Sequence, residues 1–459
     1  MSRFVEKLLQ SEPNRELIMG NHALVRAMLE SGVKVATTYP GSPTPEIATA
    51  ITAIPEDQRP LYFEYSVNEK VALEIALGAS VNGHLSTVFF KSVGLNVAAD
   101  SAVQLGLLNT IGGMVVILGD DPGAHSSQNE QDNRHFARTS YIPMLEPSTP
   151  KEAYNMYKDA VQLSQKYKMP IFLRMTTHVC HANQIIELDK LELGDYSWKS
   201  KFDPHNGPYL PITSKVFPLK KQALKKLEKF QKESENSPYN KVHSPNGNGP
   251  VKGKKLGIIS SSMPVLSLLE NLKKVQHSID ILQINFSYPL PDSKIVRFLS
   301  EHDEVLILEE LDRVLEQEIK NIAWDNGSKC RLLSRQEIDD QVGELTPGRT
   351  WKMLSDIWPD LFPLRSKQVE KPDISPRIAQ MCPGCGHRSA FHAIKKALPK
   401  DAITVGDIGC HSLGFFKPYN MGEVLLSMGH SNGTGSGLSI NNDRKIVTFI
   451  GDSTFFHAG

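Results

Sequence analysis

From about Leu17 to Leu188, short apolar runs alternate with amphipathic stretches, as expected of a parallel sheet wrapped by helices. "GNHALVRAMLESGV" reads as the first helix. Asn21 is placed to cap it, Ala23, Met28 and Leu29 help form its apolar face, and Gly32 is placed to end it. "KVATTYP" then reads as a strand running into the turn "YPGSPTPEI", and "LSTVFF", "GGMVVILG" and "MPIFLRM" read as further strands with helices between them. Doubly wound sheets bind ligands outside the carboxyl ends of their strands, so the turns after these strands are where chemistry is expected.

The pattern changes between about Asp195 and Lys255. A charged helix rich in lysine leads into a stretch of Asn, Pro, Gly and Lys, a linker by composition. Its lysines read as a solvated helix face. "KLGIISSS", "SIDILQINFSYPLP" and "DEVLILEE" resume a strand pattern and predict a smaller α/β domain ending near Pro363. A third unit begins near Ile378 with "AITVGDIGC", continues through a Gly-rich turn, and closes on a β-branched strand, Ile446 to Ile450. That strand delivers Gly451 and Asp452 into a turn with no later element to pair beside it. The division expected is 1–195, a linker over 196–255, 256–365 and 376–459. No period of 20 to 50 residues repeats, which argues against a solenoid.

Composition narrows the function classes. The 459 residues carry 51 charges of each sign, which gives no electrostatic reason to expect nucleic acid or an anionic membrane as partner. No apolar stretch is long enough for a spanning helix, and "MSRFVEKLLQSEPNREL" lacks a signal-peptide core, so a cytoplasmic protein is expected. Five cysteines are too few and too unevenly placed for a disulfide framework.

Four constellations could carry chemistry. Cys382, Cys385 and Cys410 lie in "MCPGCGH" and "VGDIGCH"; a Cys-x-x-Cys pair forms one edge of a tetrahedral thiolate site, and a strand-end turn can bring a third thiolate alongside. Zinc could complete such a site with His387 or His411, whereas an iron–sulfur cluster would call for a further cysteine. In "NEKVALEIALGAS", Ala72, Ile75, Ala76 and Ala79 make a small-residue helix face, with Glu69 near the helix start, where the dipole favours a carboxylate. Met428 and Gly429 open "SMGHSNGTGSGLS", whose loose glycine spacing at Gly433, Gly435 and Gly437 is a weak dinucleotide match and suits a ring-shaped cofactor better. Gly451-Asp452 at a strand end is commonly just a turn, but it also suits a carboxylate sharing Mg²⁺ with phosphate oxygens. His125 and His135 invite a metal or triad reading, against which Ser127-x-x-Glu130 reads as a capping box entering a helix.

Together these segments resemble the large subunits of indolepyruvate ferredoxin oxidoreductases, in the 2-oxoacid:ferredoxin oxidoreductase group. "GNHALVRAMLESGV", "YPGSPTPEI", "SVNEKVALEIALGAS", "VGLNVAAD", "DDPGAHSSQNEQDNRHFA", "CPGCGHR", "GDIGC" and "FIGDSTFFHAG" occur in family order across nearly the whole chain. The resemblance implies a pyrimidine-binding domain, then a transketolase C-terminal-like domain, then the first part of a diphosphate-binding domain. It implies thiamine diphosphate, Mg²⁺ and 4Fe-4S clusters as cofactors, and oxidative decarboxylation of an aryl 2-oxoacid such as indolepyruvate, with coenzyme A taking the acyl group and ferredoxin the electrons. A small beta subunit is the implied partner, in an oligomer. Glu69 would hydrogen-bond the aminopyrimidine and favour its imino tautomer. Ser42 would lie near the substrate carbonyl; Met428, Gly429, Gly451, Asp452 and Ser453 would bind cofactor, Asp452 through Mg²⁺; and Cys382, Cys385 and Cys410 would hold a cluster.

In the family, the chain continues past the Gly-Asp turn to an Asn that completes the cation site, and on to cysteine-rich cluster motifs. Their absence here leads us to expect a truncated or split sequence whose 459 residues alone bind thiamine diphosphate weakly or not at all. Two alternatives stay open: the same chemistry on another 2-oxoacid such as pyruvate, and a zinc-stabilised scaffold that kept the fold without the catalysis.

Overall fold

The structure is a computed structural model that describes residues 3–192, 199–207, 209–245, 251, 253–276, 278–364, 374–375 and 379–458. Its chain forms two compact units, Met1–Leu364 and Arg365–Gly459. In chain order the first unit carries β1 (Asn14–Met19), β2 (Val35–Thr38), β3 (Tyr62–Tyr65), β4 (Ser86–Lys91), β5 (Met114–Asp120), β6 (Met144–Leu145), β7 (Ile171–Thr176), β8 (Asn183–Leu188), β9 (Asn240–His243), β10 (Leu256–Ser260), β11 (Ile279–Ile284), β12 (Phe286–Tyr288), β13 (Glu304–Leu308) and β14 (Arg331–Leu333).

A seven-stranded sheet runs in the order β12-β6-β7-β5-β4-β2-β3. All its pairings are parallel except that of β12 with β6. Every residue of β5, "MVVILGD", is buried, as a central strand covered on both faces requires. Two apolar clusters cover those faces, one built on Leu24, Ile51 and Tyr157, the other on Leu73, Ala76 and Phe172. After β2 the chain adds β3 on one side and β4 on the other. The strand order therefore reverses between β2 and β4, which places the ligand crevice of a doubly wound sheet outside their carboxyl ends.

The second sheet, β14-β13-β10-β11-β9, is parallel apart from β9. The segment expected as a linker, 196–255, is more than a tether: it contributes β9 and the helix Val216–Asn236. Leu219, Ala223, Leu227 and Phe230 are buried along one stripe of that helix while Lys221, Lys225 and Lys229 are exposed, so its charge masks an ordinary amphipathic element. Directly after β11, β12 crosses to the first sheet. Buried Arg134 reinforces this junction, pairing with Asp132 (2.6 Å) and with Glu309 after β13 (2.6 Å).

In the second unit, β15 (Ile403–Val405) and β16 (Ile446–Thr448) pair in parallel. The terminal strand thus finds its neighbour upstream, and the Gly451 turn leads into a helix, Asp452–Ala458. The stretch expected as a Gly-rich turn is instead a helix, His430–Ser439. Its composition serves packing: a Cβ on Gly435 would stand 2.3 Å from Thr448 Cγ2, so only glycine lets this helix lie so close to β16.

Candidate functional site

Glu69 is the first residue of the helix Glu69–Val81 and is 6% exposed. Asn68 caps that helix, its side chain accepting from Val71 N at 2.9 Å. The buried stripe is Glu69, Ala72, Leu73, Ala76 and Ser80; Ile75 and Ala79, expected on it, are only half-buried. Thr37 and Ser86 donate to the carbonyls of Ala72 and Ala76, each at 2.7 Å, fixing the helix across β2 and β4. Gly94, just after β4, abuts the carboxylate. A Cβ there would lie 2.6 Å from Glu69 Oε1 and 2.7 Å from its Cγ. Burial, and then the charge of Glu69, raise the Tyr39 hydroxyl above its ordinary pKa.

Exposed Ser42 crowns the turn after β2, flanked by buried Pro43 and Thr44. Three contacts shape that turn. Thr44 N donates to Gly41 O at 3.1 Å. Gly119, at the end of β5, leaves room for Pro43, whose Cδ would be 2.9 Å from a Cβ. Asn21 donates its amide to Pro43 O (2.7 Å) and to Glu46 (2.8 Å). Asn21 is therefore no helix cap: Met19 occupies the cap position, and Asn21 is buried where it holds the Ser42 turn.

Sequence reasoning also missed Lys91, the last residue of β4. Its Cβ lies 2.8 Å from where a Cβ on Gly41 would be, and its amine donates to Ser126 O. Four residues, Lys91 to Gly94, therefore touch both the Ser42 turn, at Gly41, and the Glu69 side chain.

The loop above these strand ends is pinned by Asp121, which accepts from Ser126 N (2.9 Å), Ser127 Oγ (2.8 Å) and Thr177 Oγ1 (2.7 Å). Burial alone would raise this carboxyl; the donors outweigh it and hold it low. The expected capping box does not form. Ser127 serves Asp121, Glu130 accepts from Gly343 N at 2.7 Å, and the helix begins only at Arg134. His125 and His135 are exposed and face Glu344 and Asp312, at 3.4 and 2.9 Å.

In the second unit, the turns after β15 and β16 carry the remaining candidates. Buried Asp407 accepts from Gly429 N (3.0 Å) and Ser431 N (3.1 Å), anchoring the start of the helix His430–Ser439. Gly429 has φ +84° and lies against Ala458 O; Met428 precedes it, half-buried. Asp452 and Ser453 are exposed at the start of the last helix, and Asp452 Oδ1 accepts from Ser453 N at 2.7 Å. The ring of His411 lies near both Gly409 and Gly451, its Nε2 buried without a hydrogen-bond partner among the described residues. Burial lowers its pKa, opposed by Asp407.

Each unit carries features that fit thiamine diphosphate in kind: in the first, a carboxylate buried at a helix start against Gly94; in the second, a glycine turn ending in an exposed carboxylate that a hard cation could share with phosphate. An iron–sulfur cluster does not fit as the thiols stand. Cys382 and Cys410 are exposed and Cys385 partly buried, with Cys385 Sγ 3.4 Å from His387 Nδ1. Among the described residues, no group of three or more His, Cys, Asp or Glu side chains is arranged to hold a metal. No helix among them is long and apolar enough to cross a membrane.

Residues 26–244 match the family described as "Pyruvate flavodoxin/ferredoxin oxidoreductase, thiamine diP-bdg". The indolepyruvate oxidoreductase subunit IorA of Methanothermobacter marburgensis is 36% identical over 453 residues, 97% of this chain and 72% of that protein. The subunit of the same name from Thermococcus kodakarensis is 34% identical, covering 100% of this chain and 74% of its own length. Among solved structures, the 2-oxoglutarate:ferredoxin oxidoreductase of Magnetococcus marinus matches with TM-score 0.56 and 14% identity, over 74% of this chain and 65% of that one. At that identity the match speaks to fold alone.

Proposed function

The chain belongs to the family of indolepyruvate oxidoreductase IorA subunits, and we propose that it is the thiamine-diphosphate-binding subunit of an enzyme that oxidatively decarboxylates aryl 2-oxoacids such as indolepyruvate. In this reading coenzyme A receives the acyl group and ferredoxin the electrons, within an oligomer containing a small beta subunit, in the cytoplasm. The observation that carries it is Glu69, buried at a helix start and packed against Gly94 at the switch point of a sheet whose family binds thiamine diphosphate.

When bound, thiamine diphosphate supplies the nucleophilic carbon for the keto group and the sink for the electrons left as CO₂ departs. Glu69 accepts a hydrogen bond from the aminopyrimidine and so biases its tautomer, tuning a base on the cofactor itself. Ser42 Oγ donates to the substrate's keto oxygen. Met428, Gly429, Gly451 and Ser453 would hold the cofactor, and Asp452 would hold a Mg²⁺ that neutralises its diphosphate. A 4Fe-4S cluster on Cys382, Cys385 and Cys410 is proposed from donor chemistry alone, three thiols in one small unit with two in a Cys-x-x-Cys turn, and it would require these thiols to be drawn together from the arrangement described above.

The test is the chain assembled with its partner subunit and supplied with thiamine diphosphate, Mg²⁺ and coenzyme A. Coenzyme-A-dependent reduction of ferredoxin should be faster with indolepyruvate than with pyruvate, and iron and acid-labile sulfide should co-purify. Preference for pyruvate would overturn the aryl assignment. Stoichiometric zinc without iron would favour the scaffold.

A further inference from the structure

Lys91 ends β4, on one side of the strand-order reversal, and the Ser42 turn follows β2 on the other. Its stem lies along Gly41, where a Cβ would meet Lys91 Cβ at 2.8 Å, Cδ at 3.4 Å and Cγ at 3.6 Å. Any side chain at position 41 would push the lysine away; glycine lets it run beside the turn. The residue is partly buried, and its amine makes a surface hydrogen bond to a backbone carbonyl, Ser126 O. No carboxylate among the described residues forms an ion pair with it. The acid whose charge acts on it, Asp121, is already committed to Ser126 N, Ser127 Oγ and Thr177 Oγ1.

A lysine in this position carries a desolvation cost that no paired carboxylate fully offsets. Burial lowers its pKa, and Asp121 raises it only in part. Retaining a cation in such a place makes physical sense if an anion completes it. The substrate class under Proposed function carries one: every 2-oxoacid has a carboxylate adjacent to its keto group, about one C–C bond away. If the keto oxygen is held at Ser42 as proposed above, the Lys91 stem beside the neighbouring Gly41 makes this lysine the cation of the same turn.

Resting on the function proposed above, we propose that Lys91 is the carboxylate-binding residue of the substrate site. It selects 2-oxoacids over neutral carbonyl compounds and orients the carboxylate while the keto carbon is attacked. This cation stabilises the bound acid more than the products of decarboxylation, so its weight falls on substrate binding.

The experiment uses the complex with its partner subunit, loaded with thiamine diphosphate and Mg²⁺, and two unreactive probes: indole-3-lactate and its neutral primary amide. Isothermal titration of wild type and Lys91→Met is expected to show about tenfold or greater loss of affinity for the lactate and no change for the amide, the scale of one charge-assisted contact. Lys91→Arg, which keeps the charge, should hold most of the lactate affinity. KM for indolepyruvate should rise in Lys91→Met by a larger factor than kcat falls. Equal losses for lactate and amide would mark Lys91 as merely structural and overturn the proposal, as would unchanged lactate affinity. If Lys91→Met behaves as the wild type in a complex that turns over indolepyruvate, only the lysine assignment fails. A wild-type complex inert toward all aryl 2-oxoacids overturns the function and this inference with it.

Discussion

Replacing Gly94 by alanine should separate folding from catalysis. The added methyl would stand 2.6 Å from Glu69 Oε1, 2.7 Å from Cγ and 2.9 Å from Cδ. Restoring ordinary van der Waals contact displaces the carboxylate by about 0.8 Å. Those atoms are the end of a flexible side chain, so the fold yields at little expense. Alanine also gains up to about 1 kcal/mol of helix propensity over glycine in the segment Gly94–Val97. A displacement approaching 1 Å at a positioned catalytic group costs on the order of 100-fold in rate. We therefore expect Gly94→Ala to retain its melting temperature within a few degrees, to bind thiamine diphosphate more weakly by calorimetry, and to lose roughly 100-fold in kcat. The double variant Gly94→Ala/Glu69→Asp should be no slower than Glu69→Asp, because the shorter acid withdraws from the methyl. Full activity in Gly94→Ala, or additive losses in the double variant, would refute the argument that Gly94 acts through Glu69.

Other consequences follow from the buried charges and from the glycine contacts. Glu310 is buried and accepts from Leu345 N at 2.8 Å; burial pushes its carboxyl up to about 7. Because the folded state binds this proton more tightly than the unfolded one, Glu310 contributes stability below its unfolded pKa and loses it as pH rises through about 7. Urea denaturation from pH 5 to 8 should show roughly 3 kcal/mol more decline in wild type than in Glu310→Gln; parallel curves would contradict this. Arg134→Met leaves Asp132 and Glu309 buried without their cation and should destabilise the first unit by about 3–5 kcal/mol. A loss under 1 kcal/mol in denaturant titration would show that water reaches the pair. Gly435→Val should disrupt the second unit, since its Cβ would stand 2.3 Å from Thr448 Cγ2; unchanged proteolytic resistance of 379–458 would contradict that packing.

The strands that read clearly from sequence were those buried on both faces. β5 and β7 are near-continuous apolar runs, a signature β10, β11 and β13 share, while buried β2 and β4 mix Val, Ala and Phe with small Ser and Thr. What escaped were elements whose residues answer to neighbours rather than to a pattern: two-residue β6, short β12 crossing to another sheet, and β1 and β8, which pair with each other at a surface where Leu17 and Ile185 stay exposed. The helix His430–Ser439 escaped for a different reason. Glycine opposes helix formation locally, and here close approach to β16 outweighs that propensity. Of the candidate site, Glu69 and Ser42 stand out in the sequence because a family pattern surrounds them. Lys91, Gly94 and Asn21 were not, since their roles arise from contacts that spacing does not reveal. The cysteines were legible as donors, but their convergence is a matter of geometry.

The central claim is that the buried acid at the start of the helix Glu69–Val81 tunes bound thiamine diphosphate for decarboxylating an aryl 2-oxoacid. The direct test is coenzyme-A-dependent ferredoxin reduction by indolepyruvate in the assembled complex, comparing wild type with Glu69→Gln. The account predicts a loss of about 100-fold or more in kcat with unchanged circular dichroism; a Glu69→Gln complex that works at the wild-type rate would contradict it.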